Sequence, residues 1–173
     1  DLEVAFNKAV KEFALGNVSG TAKAKQMLEN YVASDLYKAL PKNKLKEMQF
    51  ALPVDDLLVS GVVDCVVETA DGLLLVDYKT GRPPKQDEVK LGYAYQLAIY
   101  KYAVEKLLNK KVIEAKLHFL QNLSEWSMPM DKDYLDASLA LCNEIRSKGK
   151  EEDFTCNLAN CKYCPYNYLC PQK

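Results

Sequence analysis

The chain has 173 residues, of which 49% are hydrophobic and 27% charged, as in an ordinary globular domain with one core. Its 23 basic and 24 acidic residues give a net charge of −1, which argues against autonomous, high-affinity capture of nucleic acid. No apolar run approaches the roughly 18 residues of a membrane span, and no signal peptide is visible.

Two helices are predicted before the first strand. Apolar residues at helical spacing predict a helix over residues 2–15, and Ser19 is a suitable N-cap for a second helix that runs to about Leu40. Both helices are interpreted as scaffold. They are followed by a basic run that is either a solvated edge or a phosphate contact: Lys42, Lys44 and Lys46.

Three strands follow. The first is predicted over residues 45–52 and carries Glu47, which taken alone is an ordinary surface glutamate. After an Asp55-Asp56 turn, two β-branched apolar runs ending near residues 68 and 79 flank Ala70-Asp71-Gly72, a strong hairpin signal. Strands this apolar are normally buried on both faces.

Three charged residues lie inside this hairpin. If Asp71-Gly72 is a two-residue loop, Asp64 faces Lys79, and Asp77 lies diagonally across from Asp64 on the same face of the sheet. The group is either a buried salt bridge or a site for a hard divalent cation, because an unpaired buried charge would cost several kcal/mol.

Residues 88–108 are predicted to form the longest helix, in which Gln96 and Tyr100 lie one turn apart and can both point at the end of the third strand. A strand over residues 112–120 should run parallel to an earlier strand, since a helix connects them. Its His118 is interpreted as structural. A fifth strand at residues 124–130 and a helix over residues 132–148, capped by Asp131 and ended by Gly149, complete the prediction.

Four of the six cysteines lie in the last 18 residues. Cys161, Cys164 and Cys170 are spaced Cys-x2-Cys-x5-Cys, and Cys156 could complete a four-thiolate site. Such a site holds either zinc or a [4Fe–4S] cluster, and free thiols are the alternative. The two other cysteines are interpreted as small core residues: Cys65 and Cys142.

Three short motifs follow one another along the chain: Gly61-x-x-Asp64, Asp77-Tyr-Lys-Thr-Gly81 and Gln96-x-x-x-Tyr100. In this order they resemble the motifs of the RecB-type branch of the PD-(D/E)XK nucleases. The likeness is to the nuclease domains that end UvrD/Rep-type, AddAB-like helicase–nucleases. It implies an α/β fold with an αβββαβ core, a mixed central sheet flanked by helices, and a cysteine-rich C-terminal tail. The expected segments are N-terminal helices at 1–44, a nuclease core at 45–150 and a metal-binding tail at 151–173, all in one compact domain.

The resemblance also implies roles for the hairpin residues. Asp64, Asp77 and the carbonyl of Tyr78 would hold Mg²⁺ or Mn²⁺, and Lys79 would position water or stabilise charge. Glu47 matches a glutamate that precedes an apolar strand in similar nucleases, where it would bind a metal-bound water. Two further residues would steady Lys79 or the phosphate: Gln96 and Tyr100.

The function implied is a metal-dependent deoxyribonuclease acting on single-stranded DNA, as the nuclease domain of a helicase–nuclease in DNA break repair, working at the nucleoid in a bacterial cytoplasm. The near-neutral charge suits a strand delivered by a helicase. In the family an N-terminal helix often supplies a metal-binding histidine, which this chain lacks. That departure keeps open a non-catalytic DNA-end binding module.

The cysteine tail resembles that of iron–sulfur-bearing RecB-type nucleases. In those proteins a fourth ligand comes from upstream of the nuclease core, whereas no cysteine precedes Cys65 here. The resemblance favours a [4Fe–4S] cluster on Cys156, Cys161, Cys164 and Cys170, with zinc as the alternative.

Overall fold

The structure is a computed structural model that describes residues 1–13, 20–82, 91–150, 161, 164, 168 and 169. Its elements in chain order are α1 (Leu2–Glu12), α2 (Thr21–Ala33), α3 (Asp35–Ala39), β1 (Lys44–Val54), β2 (Leu57–Glu68), β3 (Leu73–Lys79), α4 (Leu91–Leu108), β4 (Val112–Phe119), β5 (Ser124–Ser127) and α5 (Tyr134–Lys150).

The chain divides into two compact units, residues 1–135 and 136–173. The first contains α1 to α4 and the whole sheet; the second contains most of α5 and the described residues of the tail. The predicted division at residues 44 and 150 stays a prediction. In the described part of the chain no helix is long and apolar enough to cross a membrane.

Five strands form one mixed sheet in the order β1-β2-β3-β4-β5. β4 runs parallel to β3 after the α4 crossover, and the other neighbouring pairs are antiparallel. The predicted αβββαβ core with its mixed, helix-flanked sheet is therefore confirmed.

Each face of the sheet carries a hydrophobic cluster. The face covered by α4, called the α4 face below, buries the larger one, in which Leu97 and Val104 of α4 belong to the same cluster as Leu75 and Leu117 of the strands. The opposite face, called the α2 face, buries Cys65, Val67 and Val76. A strand alternates its side chains between two faces, so residues of β3 that are adjacent in sequence serve different clusters.

The second predicted helix is divided at Ser34, so the prediction of one helix to Leu40 was wrong. Ser34 has extended backbone angles and caps α3: its Oγ accepts the N–H of Tyr37 and donates to the carbonyl of Tyr31. A serine in this conformation satisfies both helix ends, which favours two short helices over one long one. Gly20 precedes α2 as its N-cap, and the predicted cap Ser19 lies outside the described residues.

The last helix also differs from its prediction. It begins at Tyr134, not directly after Asp131. It ends at Lys150, one residue past the predicted stop at Gly149, so the predicted end is right to within a residue.

The β2–β3 hairpin has a different register from the predicted one. Thr69 donates both its N–H (2.8 Å) and its Oγ1 hydroxyl (2.9 Å) to the carbonyl of Gly72, so the loop residues are Ala70-Asp71. The pairing shifts by two residues, and the ladder runs from Glu68↔Leu73 to Cys65↔Val76.

Candidate functional site

The candidate site lies where β3 ends, on the α4 face of the sheet. Asp77 is 3% exposed, and the Nζ atom of Lys79 lies 2.6 Å from its Oδ2 atom. The two residues share a face because they are two apart on a strand. The predicted pairing of Asp64 with Lys79 was wrong: one step beyond Cys65↔Val76, the observed register puts Asp64 across from Asp77. The Asp64 carboxylate is near enough to Asp77 to act on its charge.

The carboxylate of Asp64 takes the place of a main-chain acceptor. Its Oδ2 atom accepts the N–H of Tyr78 at 2.8 Å, just beyond the last regular pair of the β2–β3 ladder. This bond fixes the Asp64 side chain against the β3 main chain between Asp77 and Lys79. The carbonyl of Tyr78 belongs to the same short stretch of backbone.

β1 and β2 are both distorted at the site. The ladder pairs Lys46↔Cys65 and Met48↔Val63 but leaves out the residues between them, Glu47 and Asp64. Glu47 has a φ of 51°, a conformation rare for a non-glycine residue. In β2 the alternation breaks at Asp64: Val63 and Val66, three residues apart, both belong to the α4-face cluster. The distortion takes both carboxylates out of the regular pleat.

Lys79 begins a chain of polar contacts that ends on α4. Its Nζ donates to Oε1 of Gln96 at 2.9 Å, and Nε2 of Gln96 donates to the hydroxyl of Tyr100 at 2.9 Å. The ammonium also lies 4.9 Å from the centroid of the Tyr93 ring. Gln96 and Tyr100 can make these contacts because they are one helical turn apart. Lys79 is thus held in one orientation from three sides, while its side chain keeps 19% exposure.

Burial raises the pKa of the Asp77 carboxyl; Lys79 opposes this and the Asp64 carboxylate adds to it. The ion pair with Lys79 therefore compensates the desolvation only in part. A second positive charge beside Asp77 would favour its ionised form.

A divalent cation fits this donor set. The Oδ2 atom of Asp77 is buried and has no hydrogen bond of normal geometry within the described residues, although Lys79 lies close to it. Mg²⁺ is commonly held by one or two carboxylates plus water, so two carboxylates and a carbonyl are sufficient. In the parts of the chain that the structure describes, no three His, Cys, Asp or Glu side chains form a metal-binding group. Glu47 is exposed, and its predicted part in binding a water of the ion stays a prediction.

On the α2 face, Tyr78 is held by Tyr31 and His118. The sequence did not indicate that either residue takes part in the site. The Tyr31 hydroxyl of α2 donates to the Tyr78 hydroxyl at 3.0 Å, and the ring of His118 lies 5.8 Å from that of Tyr78. The Nε2 atom of His118 lies 2.5 Å from Oε1 of Glu125 on β5. Burial lowers the pKa of His118, which is 2% exposed and lies on the face opposite Asp77.

Of the four tail cysteines, the structure describes two. The N–H of Cys164 donates to the carbonyl of Cys161 at 3.2 Å, so the two residues occupy a single turn. Cys156 and Cys170 lie outside the described residues, as do parts of the loop and tail around them. The four-thiolate site therefore stays a prediction.

Comparison with known proteins finds relatives among helicase–nucleases. An ATP-dependent helicase/nuclease subunit of Pelotomaculum thermopropionicum is 45% identical over 71 residues, covering 40% of this chain. The corresponding protein of Moorella thermoacetica is 40% identical over 88 residues, covering 51% of the chain. In both cases the aligned part is 6% of the relative's length.

The fold has a counterpart among solved structures. The crystal structure of SSO0001 matches 97% of this chain and 79% of its own chain with a TM-score of 0.52 and 16% identity. The sequence profile of the PD-(D/E)XK nuclease superfamily matches residues 2–171, nearly the whole chain. Together with the sheet order and the Asp64, Asp77 and Lys79 cluster, this match shows that the chain belongs to the PD-(D/E)XK nuclease superfamily.

Proposed function

We propose that the chain is a metal-dependent deoxyribonuclease domain that hydrolyses phosphodiester bonds of single-stranded DNA. The observation that carries the proposal is the meeting of Asp64, Asp77 and Lys79 at the end of β3, with Lys79 held by Gln96. A plain structural salt bridge needs neither the second carboxylate nor the amide that orients the lysine.

The side chains of Asp64 and Asp77 and the carbonyl of Tyr78 would hold Mg²⁺ or Mn²⁺. When bound, such an ion neutralises phosphate charge and supplies hydroxide at neutral pH from its water. The buried oxygen of Asp77 and the charge crowding with Asp64 both favour a cation at this point. Superfamily membership supports a divalent metal, and the choice between magnesium and manganese is left to experiment.

Lys79 would stabilise negative charge on the phosphate and position the attacking water. Its contacts with Asp77 and Gln96 leave part of the ammonium exposed for this task. Gln96 keeps the lysine from rotating away, and Tyr100 fixes which end of the Gln96 amide faces it. Glu47, exposed beside Asp64, would bind a water of the ion.

The wider setting is inferred from the relatives. Since they are helicase/nuclease subunits of bacteria, we infer that this domain acts with a helicase on cytoplasmic DNA during break repair. The tail would contribute a closed thiolate site, through Cys156, Cys161, Cys164 and Cys170, that holds a [4Fe–4S] cluster or zinc. The turn formed by the middle two cysteines suits a shared ion.

The test is cleavage of labelled single-stranded DNA with Mg²⁺, with Mn²⁺ and with EDTA. Asp77→Asn should lower the rate at least about 100-fold, since it removes a ligand and the anionic partner of Lys79. Asp71→Asn, an equal charge change in the exposed hairpin loop, is the matched control and should cleave normally.

Cleavage that survives in Asp77→Asn, or that proceeds in EDTA, would refute the assigned site. DNA binding without cleavage by the wild-type chain in either metal would instead favour the DNA-end binding module. Equal rates on duplex and single strands would remove the strand preference and leave the nuclease.

A further inference from the structure

Two neighbouring cavities on the α2 face form a groove that reaches the side of the candidate site where Asp64 and Glu47 lie. The first, about 310 Å³, is lined by Asp64, Glu47 and Tyr78 at one end. The second, about 390 Å³, is lined at its far end by Lys38 and Lys42. The two share three lining residues and therefore lie side by side: Tyr37, Lys44 and Lys46. We call this feature the lysine groove.

The groove concentrates positive charge on a chain whose net charge is −1. Within the described residues, Lys42, Lys44 and Lys46 make no ion pair, and Lys38 has only the exposed Asp35 at 3.8 Å. Lys44 and Lys46 project from the same face of β1, about 7 Å apart. Cations without acidic partners suit a ligand that carries a row of negative charges.

The groove also has an aromatic wall. Tyr37 is 40% exposed, and the ring of Tyr31 packs edge-on against its ring with the centroids 5.4 Å apart. The Nζ atom of Lys44 lies 5.2 Å from the Tyr37 centroid. An exposed tyrosine ring beside cations is the combination that binds unpaired bases by stacking and their phosphates by charge. Each cavity has a volume of a few hundred Å³, which suits a single nucleotide.

We infer that the lysine groove binds an unpaired polynucleotide strand next to the phosphate that is cut. The position of the cut phosphate in this inference is taken from the proposed function. The lysines neutralise phosphates along the groove without a metal. At the other end, Glu47 and Asp64 repel phosphate until a cation is bound. Binding in the groove and cleavage at the site are therefore separable.

The test measures binding of a fluorescent oligothymidylate of about 12 nucleotides in EDTA, over a range of salt concentrations. The variant replaces Lys42, Lys44 and Lys46 with Gln. The control replaces three other exposed lysines with Gln: Lys106, Lys111 and Lys132. The groove variant should bind at least about tenfold more weakly at low salt, and its salt slope should fall by about 2, since each single-strand phosphate contact contributes about 0.7. The control should bind like the wild type.

Tyr37→Leu separates stacking from charge. It should weaken single-strand binding about tenfold at every salt concentration while leaving the salt slope unchanged. Binding of a blunt duplex should change little, because its bases are already stacked. Circular dichroism and melting curves check each fold, and a Lys42→Gln/Lys46→Gln pair replaces the triple variant if that fails to fold.

Equal weakening in the groove and control variants would overturn the inference, because binding would then follow total charge. So would a wild-type chain that does not bind single strands at low salt. A wild type that binds through the groove but cuts nothing would refute the nuclease and leave the groove standing. Cleavage that depends on Asp77, together with unchanged binding in the groove variant, would refute the groove alone.

Discussion

Replacing Lys79 with Met should destabilise the metal-free protein in a way that depends on pH. At the observed 2.6 Å, the attraction between Lys79 and Asp77 is about 6 kcal/mol in an effective dielectric of 20. The desolvation of the two charges offsets most of this attraction, so the intact pair contributes little net free energy to folding. Without the lysine, the 3%-exposed carboxylate of Asp77 is left without its compensating charge.

The cost is limited because Asp77 can take up a proton instead. Protonating an ordinary aspartate costs about 4 kcal/mol at pH 7 and about 1.5 kcal/mol at pH 5. We therefore expect Lys79→Met to lower the free energy of unfolding by about 3–4 kcal/mol at pH 7, or roughly 6–16 °C in melting temperature, and by about 1.5 kcal/mol at pH 5. The sign follows from the raised pKa of Asp77: the folded state binds the proton more tightly, so stability falls as pH rises.

The assay is urea unfolding in EDTA at both pH values. The unfolding free energy of Asp77→Asn should stay within about 1 kcal/mol of wild type, since Lys79 keeps Gln96 as an acceptor. The double variant Lys79→Met/Asp77→Asn should recover most of the stability lost in Lys79→Met. Lys110→Met, which breaks the exposed pair with Glu68, should cost less than about 1 kcal/mol at either pH. A Lys79→Met penalty that is small at pH 7, or equal at both pH values, would refute the reasoning.

Three further outcomes are expected. Gly72→Ala should lower the free energy of unfolding by about 2 kcal/mol, because φ is 151° and an added Cβ would lie 2.7 Å from the carbonyl oxygen of Lys111. The control Gly92→Ala has open space around the added Cβ and should leave stability unchanged or raise it, as measured by urea unfolding. Gln96→Leu should lower kcat about 10- to 100-fold with little change in melting temperature, because it frees the site lysine; an unchanged kcat would contradict that role. Because the pKa of His118 is lowered in the folded protein, the unfolded state binds a proton at this residue more readily as pH falls. His118→Gln should therefore lose less unfolding free energy than wild type between pH 7 and pH 5. Identical pH profiles for the two proteins would contradict this.

The hairpin shows what sequence reasoning could and could not determine. β-branched runs predicted both strands correctly, but the turn chemistry allowed two loops one residue apart. Thr69 decided between them, since its hydroxyl and N–H both reach the carbonyl of Gly72. A period of two could not give the position of Asp64, because β2 departs from the regular pleat at this residue. Its partner in the ladder changed, because that depends on the turn.

Helical spacing was a better guide than strand pairing. It placed Gln96 and Tyr100 one turn apart and aimed at the end of β3, and the structure shows the hydrogen bonds from Lys79 to Gln96 and from Gln96 to Tyr100. Their catalytic role stays a prediction. In contrast, no local signal marks Glu47 as a residue with positive φ, since glutamate has no preference for that conformation. The tertiary setting imposes it.

The main chain at Tyr78 connects the two faces of the sheet at the candidate site. Its N–H holds Asp64, its carbonyl is the proposed third ligand, and its side chain is fixed on the α2 face by Tyr31 and His118. The resemblance to similar nucleases predicts a histidine ligand from an N-terminal helix. Here α2 contributes a tyrosine that holds the β3 strand instead. Because a strand moves both of its faces together, α2 would act on the position of the proposed metal ligands without contributing one, and affinity for an ion would rest on Asp64, Asp77 and one carbonyl.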